Sequence, residues 1–388
     1  MATPSLAMIP SGYKASKVYS VLPESGVGDF DFTRATTATR INSSGLIEEM
    51  AINVPRLEYP LIDGVVNGCP SLLLEPQRTN LITYSEDFSN WFQIGSPNIT
   101  SNYGVSPDGT QNSSRLQMNA SDKIYINVAS SGDISFTVYL KGVGQIRLRD
   151  NTSSGLKDVT LTNEWVRYEL NFNATISNFQ IEQQTGVSDF EIYGAQLEAG
   201  SYPTSYIPTN GATVTRNGET ANGAGDATTF NDSEGVLMAE ISALGVDGTF
   251  RNISISDGSG GNVVRIQYYN DFSNTIRLQV RSGNVIVASQ LFVVNDIRDF
   301  HKVALYYKLN DIKFFIDGIK VGTDIIASPM PTGLNQLNFN QGNASQDFRG
   351  KTKQIQYYNS ALTDSELEQL TSWTSFTAMA QGQQYSII

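Results

Sequence analysis

The chain is poor in the residues on which most enzymes rely: 388 residues include one cysteine, Cys69, and one histidine, His301. A single cysteine excludes an intrachain disulfide and fits folding in a reducing compartment. One cysteine with one histidine also excludes a Cys/His zinc site. A Ser-His-Asp or Cys-His device would have to use His301, yet no nucleophile-elbow glycine pattern accompanies it. His301 therefore reads as a surface or packing histidine at a strand end. No Walker A or dinucleotide-type glycine loop runs from a strand into a helix. Charge is scarce too, at 16% of residues against about a quarter in ordinary soluble domains. Cations are the scarcer sign, with a formal net charge of −12 and a pI near 4.6. The resulting negative field disfavours nucleic acid and anionic lipid. No apolar run approaches the ~20 residues of a membrane-spanning helix, and the start MATPSLAMIPSGYKASK lacks the basic-then-apolar order of a secretory signal. These absences predict no nucleic-acid partner, no membrane insertion and synthesis in a cytoplasm.

Gly, Asn, Ser and Thr fill the gap, the usage of turn-dense all-β proteins. Residues 1–75 hold no sustained period, and Pro4, Pro10, Pro23, Pro55, Pro60 and Pro70 interrupt them. Their apolar pieces Val18–Leu22, Ile47–Val54 and Leu72–Leu74 would stay exposed on a flexible arm. An extended segment that orders against partner chains is the preferred reading. Residues 76–209 read as one β domain: Ile134, Phe136, Val138 and Leu140 alternate with Ser135, Thr137, Tyr139 and Lys141. Val166, Tyr168, Leu170 and Phe172 alternate in the same way, and evenly spaced short strands argue for a jelly-roll sandwich. Residues 210–234 are a linker, or a strip laid over a neighbouring surface. Residues 235–373 resume the strand pattern, with Asp317-Gly318 suited to a type I′ hairpin. Thr363 with Glu366 is a capping box before a short helix. Residues 374–388 form a small polar tail ending in Ile387 and Ile388. The fold class is thus all-β: an N-terminal extended segment followed by two β-sandwich domains.

Three phrases carry a resemblance: FDFTRATTATRINSSGLIE (Phe30–Glu48), CPSLLLEPQRTNLITYSEDFSNW (Cys69–Trp91) and GAQLEAGSYPTSYIPT (Gly194–Thr209). In this order, over roughly the first 215 residues, the chain resembles phage (tail-virus) structural proteins of the head spike, head fibre or tail fibre type. The resemblance implies that residues 1–75 attach to other virion proteins of capsid or tail. It further implies that 76–209 is a jelly roll like those of carbohydrate-binding modules, that the protein resides in the virion, and that it is a homotrimer. HKVALYYKLNDIKFFIDGIKVGT and GKTKQIQYYNSALTDSELEQLTSW are similar to laminin-G and concanavalin-like lectin sandwiches. Two functions follow as expectations: an adhesin whose sandwiches bind host-surface polysaccharide, or a structural decoration or connector protein. No heptad or short repeat is visible, which favours a compact appendage over a long fibre.

Glycoside hydrolysis needs only two placed carboxylates, but the E-x-D-x-E run usual in sandwich hydrolases is missing, and Glu182, Glu191 and Glu198 stand singly. The chain is therefore expected not to be an enzyme. Sugar binding needs an aromatic face and planar polar side chains. Tyr269, Asn270, Asp271 and Phe272, at a strand end and loop, offer both, against the plainer reading of one inward tyrosine and ordinary surface aromatics. Trp91 and Trp165 are further candidates, although the resemblance implies that Trp165 fills the jelly-roll core, and Trp373 reads as a cap on the second sandwich. Related jelly rolls hold a structural calcium through an Asp in the last strand. Here Tyr193 and Gly194 occupy that neighbourhood, leaving Glu86, Asp87, Glu191 and backbone carbonyls as oxygen ligands. No cofactor is expected, and a calcium ion has no motif to support it.

Overall fold

The computed structural model describes residues 2–271, 273–326 and 328–373. The polar tail and Phe272 lie outside the described residues. The protein is all-β, with one α-helix, Asp364–Thr371, and a single 3-10 turn, Phe88–Asn90, among the described residues. None of the described helices is long and apolar enough to cross a membrane.

The first sandwich is one hydrogen-bonded sheet bent over on itself. Its long strands are Lys123–Val143, Val166–Glu182 and Val187–Ala199. Lys123–Val143 lies between the other two, and its register shifts at Asn127/Ser130 and at Thr137/Tyr139. Such bulges bend and twist a strand, so one 21-residue strand can serve both layers. Ile134, Phe136, Val138 and Leu140 are fully buried, together with Leu116, Phe179, Ile192 and Leu197.

The second sandwich packs an eight-stranded sheet on a five-stranded one. In the larger sheet the order is Ile319–Ile325, Asp311–Ile316, His301–Lys308, Glu234–Ala243, Gly350–Tyr358, Ser71–Leu74 and Arg56–Glu58, with Leu6–Met8 also paired to Gly350–Tyr358. The smaller sheet runs Val285–Val293, Thr275–Ser282, Val263–Tyr268, Arg251–Ser256 and Gln336–Asn338. The first 75 residues therefore contribute strands of their own, with Leu6 opposite Tyr357 and Leu72 opposite Thr352. Of the apolar pieces set against partner chains by the sequence reading, Val18, Leu72 and Leu74 are covered instead by this chain, joining Leu237, Ile255 and Ile355 in one core, while Val21 and Ile52 stay exposed. Residues 210–234 likewise hold short strands, Val214–Arg216 against Arg78–Asn80 and Thr220–Asn222 against Phe30–Thr33.

Local signals read as expected. Asp317 and Gly318 have φ of 50° and 81°, the paired positive values a type I′ turn requires. The Thr363–Glu366 capping box is formed, and Leu367 and Leu370 seat the helix on Tyr306 and Phe315.

A buried charge cluster joins the three segments. Arg34 donates to Glu219 at 2.7 Å, and Arg56 Nε to the same Glu219 oxygen at 2.8 Å. Arg56 also reaches Glu75 at 2.8 Å, Arg216 pairs with Glu75, and Ser205 N–H donates to Glu75 at 2.8 Å. Arg349 donates to the Glu219 carbonyl. Burial alone pushes the Glu219 carboxyl up, but Arg56, Arg216 and Arg34 around it hold it below the usual range. Burial, then repulsion from Arg56, holds Arg216 well below its ordinary value. Arg34, Glu75 and Ser205 each come from one of the three phrases that carry the resemblance, so those phrases meet at this junction.

His301, the first residue of the strand His301–Lys308, is buried beside the Asp317-Gly318 turn. Its Nδ1 lies 2.6 Å from Asp317 Oδ2 and its Nε2 3.0 Å from the Asp296 carbonyl. Burial works against the imidazolium, but the Asp317 carboxylate and two acceptors outweigh it and raise its pKa above the ordinary 6.5. A folded pKa above the unfolded one gives stability that is complete below about pH 6.5 and is lost as pH rises through the folded value. Urea unfolding across this range should show that decline in the wild type and a flatter profile in His301→Gln. Equal slopes in both proteins would contradict the assignment.

Candidate functional site

Alternation along the five-stranded sheet sends Val264, Ile266, Ile276, Leu278 and Val280 into the core, and sends the intervening residues to its outer face. That face carries three arginines on two adjacent strands. Arg265 stands opposite Gln279, Gln267 opposite Arg277, and Val263 opposite Arg281. Arg265 donates to Gln279, and the Gln279 amide donates to Ser289 Oγ at 3.2 Å. Gln267 donates to Asn252 at 2.5 Å. Arg281 holds the carbonyls of Gly260 and Asn284 at 2.8 and 2.9 Å. The segment Asn340–Gln346 roofs one side of the face, accepting from Ser254 Oγ at 2.7 Å and from Asn252 at 3.0 Å through backbone carbonyls. Arg277 and Arg281 lie half-buried on the other side, beside exposed Ser289.

The electrostatics here are unbalanced. Burial, followed by repulsion from Arg277 and Arg281, lowers Arg265 to about 10. Arg277 is lowered by burial as well, Tyr269 acting the other way and Arg281 adding to the shift. No carboxylate is among the influences on either group, although the chain as a whole has a net charge of −12. The Nε atoms of Arg265, Arg277 and Arg281 and Oε1 of Gln267 are buried without a hydrogen-bond partner. A group left so is costly, and an anion with several acceptor oxygens would satisfy the donors and relieve the repulsion.

Tyr269, singled out by sequence, lies at the end of this face. The Arg277 guanidinium sits 4.9 Å above its ring, and Phe250 meets it edge-on at 5.3 Å. Asn270 and Asp271 are exposed, with Asp271 accepting from Ser273 N–H at 3.1 Å. The arginines were missed by sequence reading, yet the alternations Val263-Val-Arg-Ile-Gln-Tyr268 and Thr275-Ile-Arg-Leu-Gln-Val-Arg281 contained the signal.

The other candidates separate. Trp91 is in the first core, donating to the Tyr84 carbonyl at 3.0 Å. Trp165 is not in that core. It is half-buried, packs against Ile47, Tyr193 and Tyr206, and donates to the Val105 carbonyl at 3.0 Å. The resemblance placed it in the jelly-roll core; here a neighbouring segment, Ile41–Ile47, supplies a second apolar surface outside the sandwich. Trp373 lies under Lys302, whose ammonium is 4.7 Å from its ring. The calcium candidates diverge: Glu86 accepts from Tyr206 and Tyr193 hydroxyls at 2.8 and 3.2 Å, Asp87 caps a turn, and Glu191 accepts from Ser113 at 2.6 Å. Among the described residues no three His, Cys, Asp or Glu side chains converge as a metal site.

No curated protein matches the chain. The CBM40 module of Ruminococcus gnavus IT-sialidase bound to α2,3-sialyllactose is similar at 18% identity, over 39% of this chain and 88% of that one, with a TM-score of 0.33. A leech intramolecular trans-sialidase is similar at 20% identity, over 38% of this chain and 24% of that one, with a TM-score of 0.32. Trypanosoma rangeli sialidase in complex with sialic acid is similar at 10% identity, over 99% of this chain and 63% of that one, with a TM-score of 0.31. The expectation of a chain that is not an enzyme is corrected by this finding. Sialidases and a trans-sialidase stand among the similar structures. Likeness at this level assigns no activity. Residues 217–368 match the model of the concanavalin A-like lectin/glucanases superfamily, and this part of the chain is a concanavalin A-like, laminin G-like domain.

Proposed function

We propose that this protein is a virion appendage that recognises acidic glycans on a host surface through the outer face of its five-stranded sheet. The observation that carries the reading is the group Arg265, Arg277 and Arg281, whose Nε atoms are buried without a partner. The concanavalin A-like match over residues 217–368 and the virion-type phrases of the first half support it. Tyr269 and Asn270 border the face and supply an aromatic edge and a planar amide. Exposed apolar side chains of residues 1–75, Ile52, Leu61, Ile62 and Val65 among them, are available to capsid or tail neighbours. Assembly as a homotrimer would multiply a weak single-site affinity on one cell surface.

The test is binding of the full chain to immobilised acidic and neutral oligosaccharides, beside Arg277→Ala, Tyr269→Ala and Arg265→Gln. Each arginine bound to an anion is worth about 1.5–3 kcal/mol, so Arg277→Ala should weaken acidic-glycan binding roughly tenfold or more. Arg265→Gln should weaken it too, while leaving the melting temperature unchanged or higher, because a desolvated and repelled cation is removed. If no acidic glycan binds even to a multimerised protein, a decoration or connector role without ligand takes its place.

A further inference from the structure

A second concavity lies far from the arginine face in sequence, where the first sandwich meets the N-terminal segment. It has a volume of about 640 Å³ and is lined by Tyr59, Tyr139, Trp165, Arg40, Glu58 and Arg167 among others. That is within the roughly 300–1,000 Å³ of small-molecule sites. A polar cleft of about 660 Å³ adjoins it, sharing Glu58, Arg167, Ser205 and Lys351. The aromatic groups come from two parts of the chain: Tyr59 from the N-terminal segment, Tyr139 and Trp165 from the first sandwich.

The lining of this cleft carries both signs in equal number, Arg40, Arg167 and Lys351 with Glu58, Asp63 and Glu164, unlike the arginine face. Arg40 Nε is paired with Glu48 at 2.9 Å. Glu58 Oε2 accepts from Ile41 N–H at 2.7 Å. Arg167 donates to Thr137 Oγ1 at 3.0 Å and to the Thr204 carbonyl at 2.8 Å, with its carbon 5.6 Å from the Tyr139 ring. These contacts fix planar polar groups in place and use only part of their capacity, and Arg167 Nε is buried without a partner. Aromatic rings beside pre-oriented, charge-matched donors and acceptors suit a ligand with apolar ring faces and many hydroxyls. An anion would meet as many carboxylates as cations here, and a lipid tail would strand the Arg40, Glu58 and Arg167 heads.

We infer that this cleft is a second carbohydrate site, taking a short neutral oligosaccharide between the N-terminal segment and the first sandwich. It shares with the arginine face the premise that the protein reads glycans, but none of its residues. Trp165 provides a reporter, since Trp91 is buried in the first core.

The full chain is titrated with maltohexaose, cellohexaose, mannohexaose and galactohexaose, and separately with the acidic oligosaccharides, by calorimetry and tryptophan fluorescence. At least one neutral oligosaccharide should bind at millimolar concentration and shift the emission. That shift should vanish in Trp165→Phe, and affinity should fall about tenfold in Trp165→Ala, while Arg277→Ala leaves neutral binding intact. Should Trp165→Ala fail to fold, Tyr59→Ala carries the same test. No binding by any neutral probe, or unchanged binding in both variants, overturns the site. Acidic-glycan binding that persists through either outcome leaves the arginine face standing, and its loss alone leaves this cleft standing.

Discussion

A chain beginning at Glu75 is expected to keep the melting transition of its first sandwich and to lose that of its second. Leu6, Met8, Val18, Phe30, Phe32, Leu57, Leu72 and Leu74 lie in the second core. Each large buried side chain contributes roughly 1.5–3 kcal/mol, so their removal costs on the order of 10–20 kcal/mol. That equals or exceeds the whole stability of a typical domain, about 5–15 kcal/mol. The shortened chain also strips Glu219 of Arg34 and Arg56, its partners at 2.7 and 2.8 Å. Calorimetry and limited proteolysis across residues 235–373 make the check. Two cooperative transitions in the shortened chain would show that residues 1–74 are dispensable to the sandwich. The sequence reading, which ordered them against partner chains, leads to that opposite result.

Glu219→Ala should be the most damaging single substitution at the junction. It leaves Arg34 without its carboxylate partner and Arg56 to share Glu75 with Arg216, with Arg34 and Arg56 both 1% exposed or less. Breaking a buried ion pair from one side typically costs about 3–5 kcal/mol, which here means a fall in Tm on the order of 10 °C. The physical cause is the stranded cations, so removing one of them should return part of the loss. Arg56→Met combined with Glu219→Met is expected to melt above Glu219→Ala. If the single change lowers Tm by no more than an ordinary surface substitution, the cluster does not hold the segments together.

The strands of both sandwiches were legible because their alternation is local. Ile134, Phe136, Val138 and Leu140 are buried whichever strand lies beside them. The site was legible only in part. Tyr269 was singled out by its aromatic character, while Arg265, Arg277 and Arg281 were not singled out at all. Sequence shows that they share a face; it does not show that Asn340–Gln346 roofs that face, or that Arg265 is buried beside two further cations. Trp165 was misplaced for a related reason, since its packing partners Ile47 and Tyr206 belong to segments outside its own sheet.

By itself the sequence determined the all-β class, the periods of the strands, the Asp317-Gly318 hairpin and the Thr363 cap. Each depends on backbone preferences or burial within a few residues. Tertiary structure alone decided which strands share a sheet and where the charges go. The pairing of Leu6 with Tyr357 and the Arg34–Glu219 contact across 185 residues leave no trace in any local window. An alternating strand presents the same hydrogen-bonding edge to every neighbour, and only closure of the common core selects one.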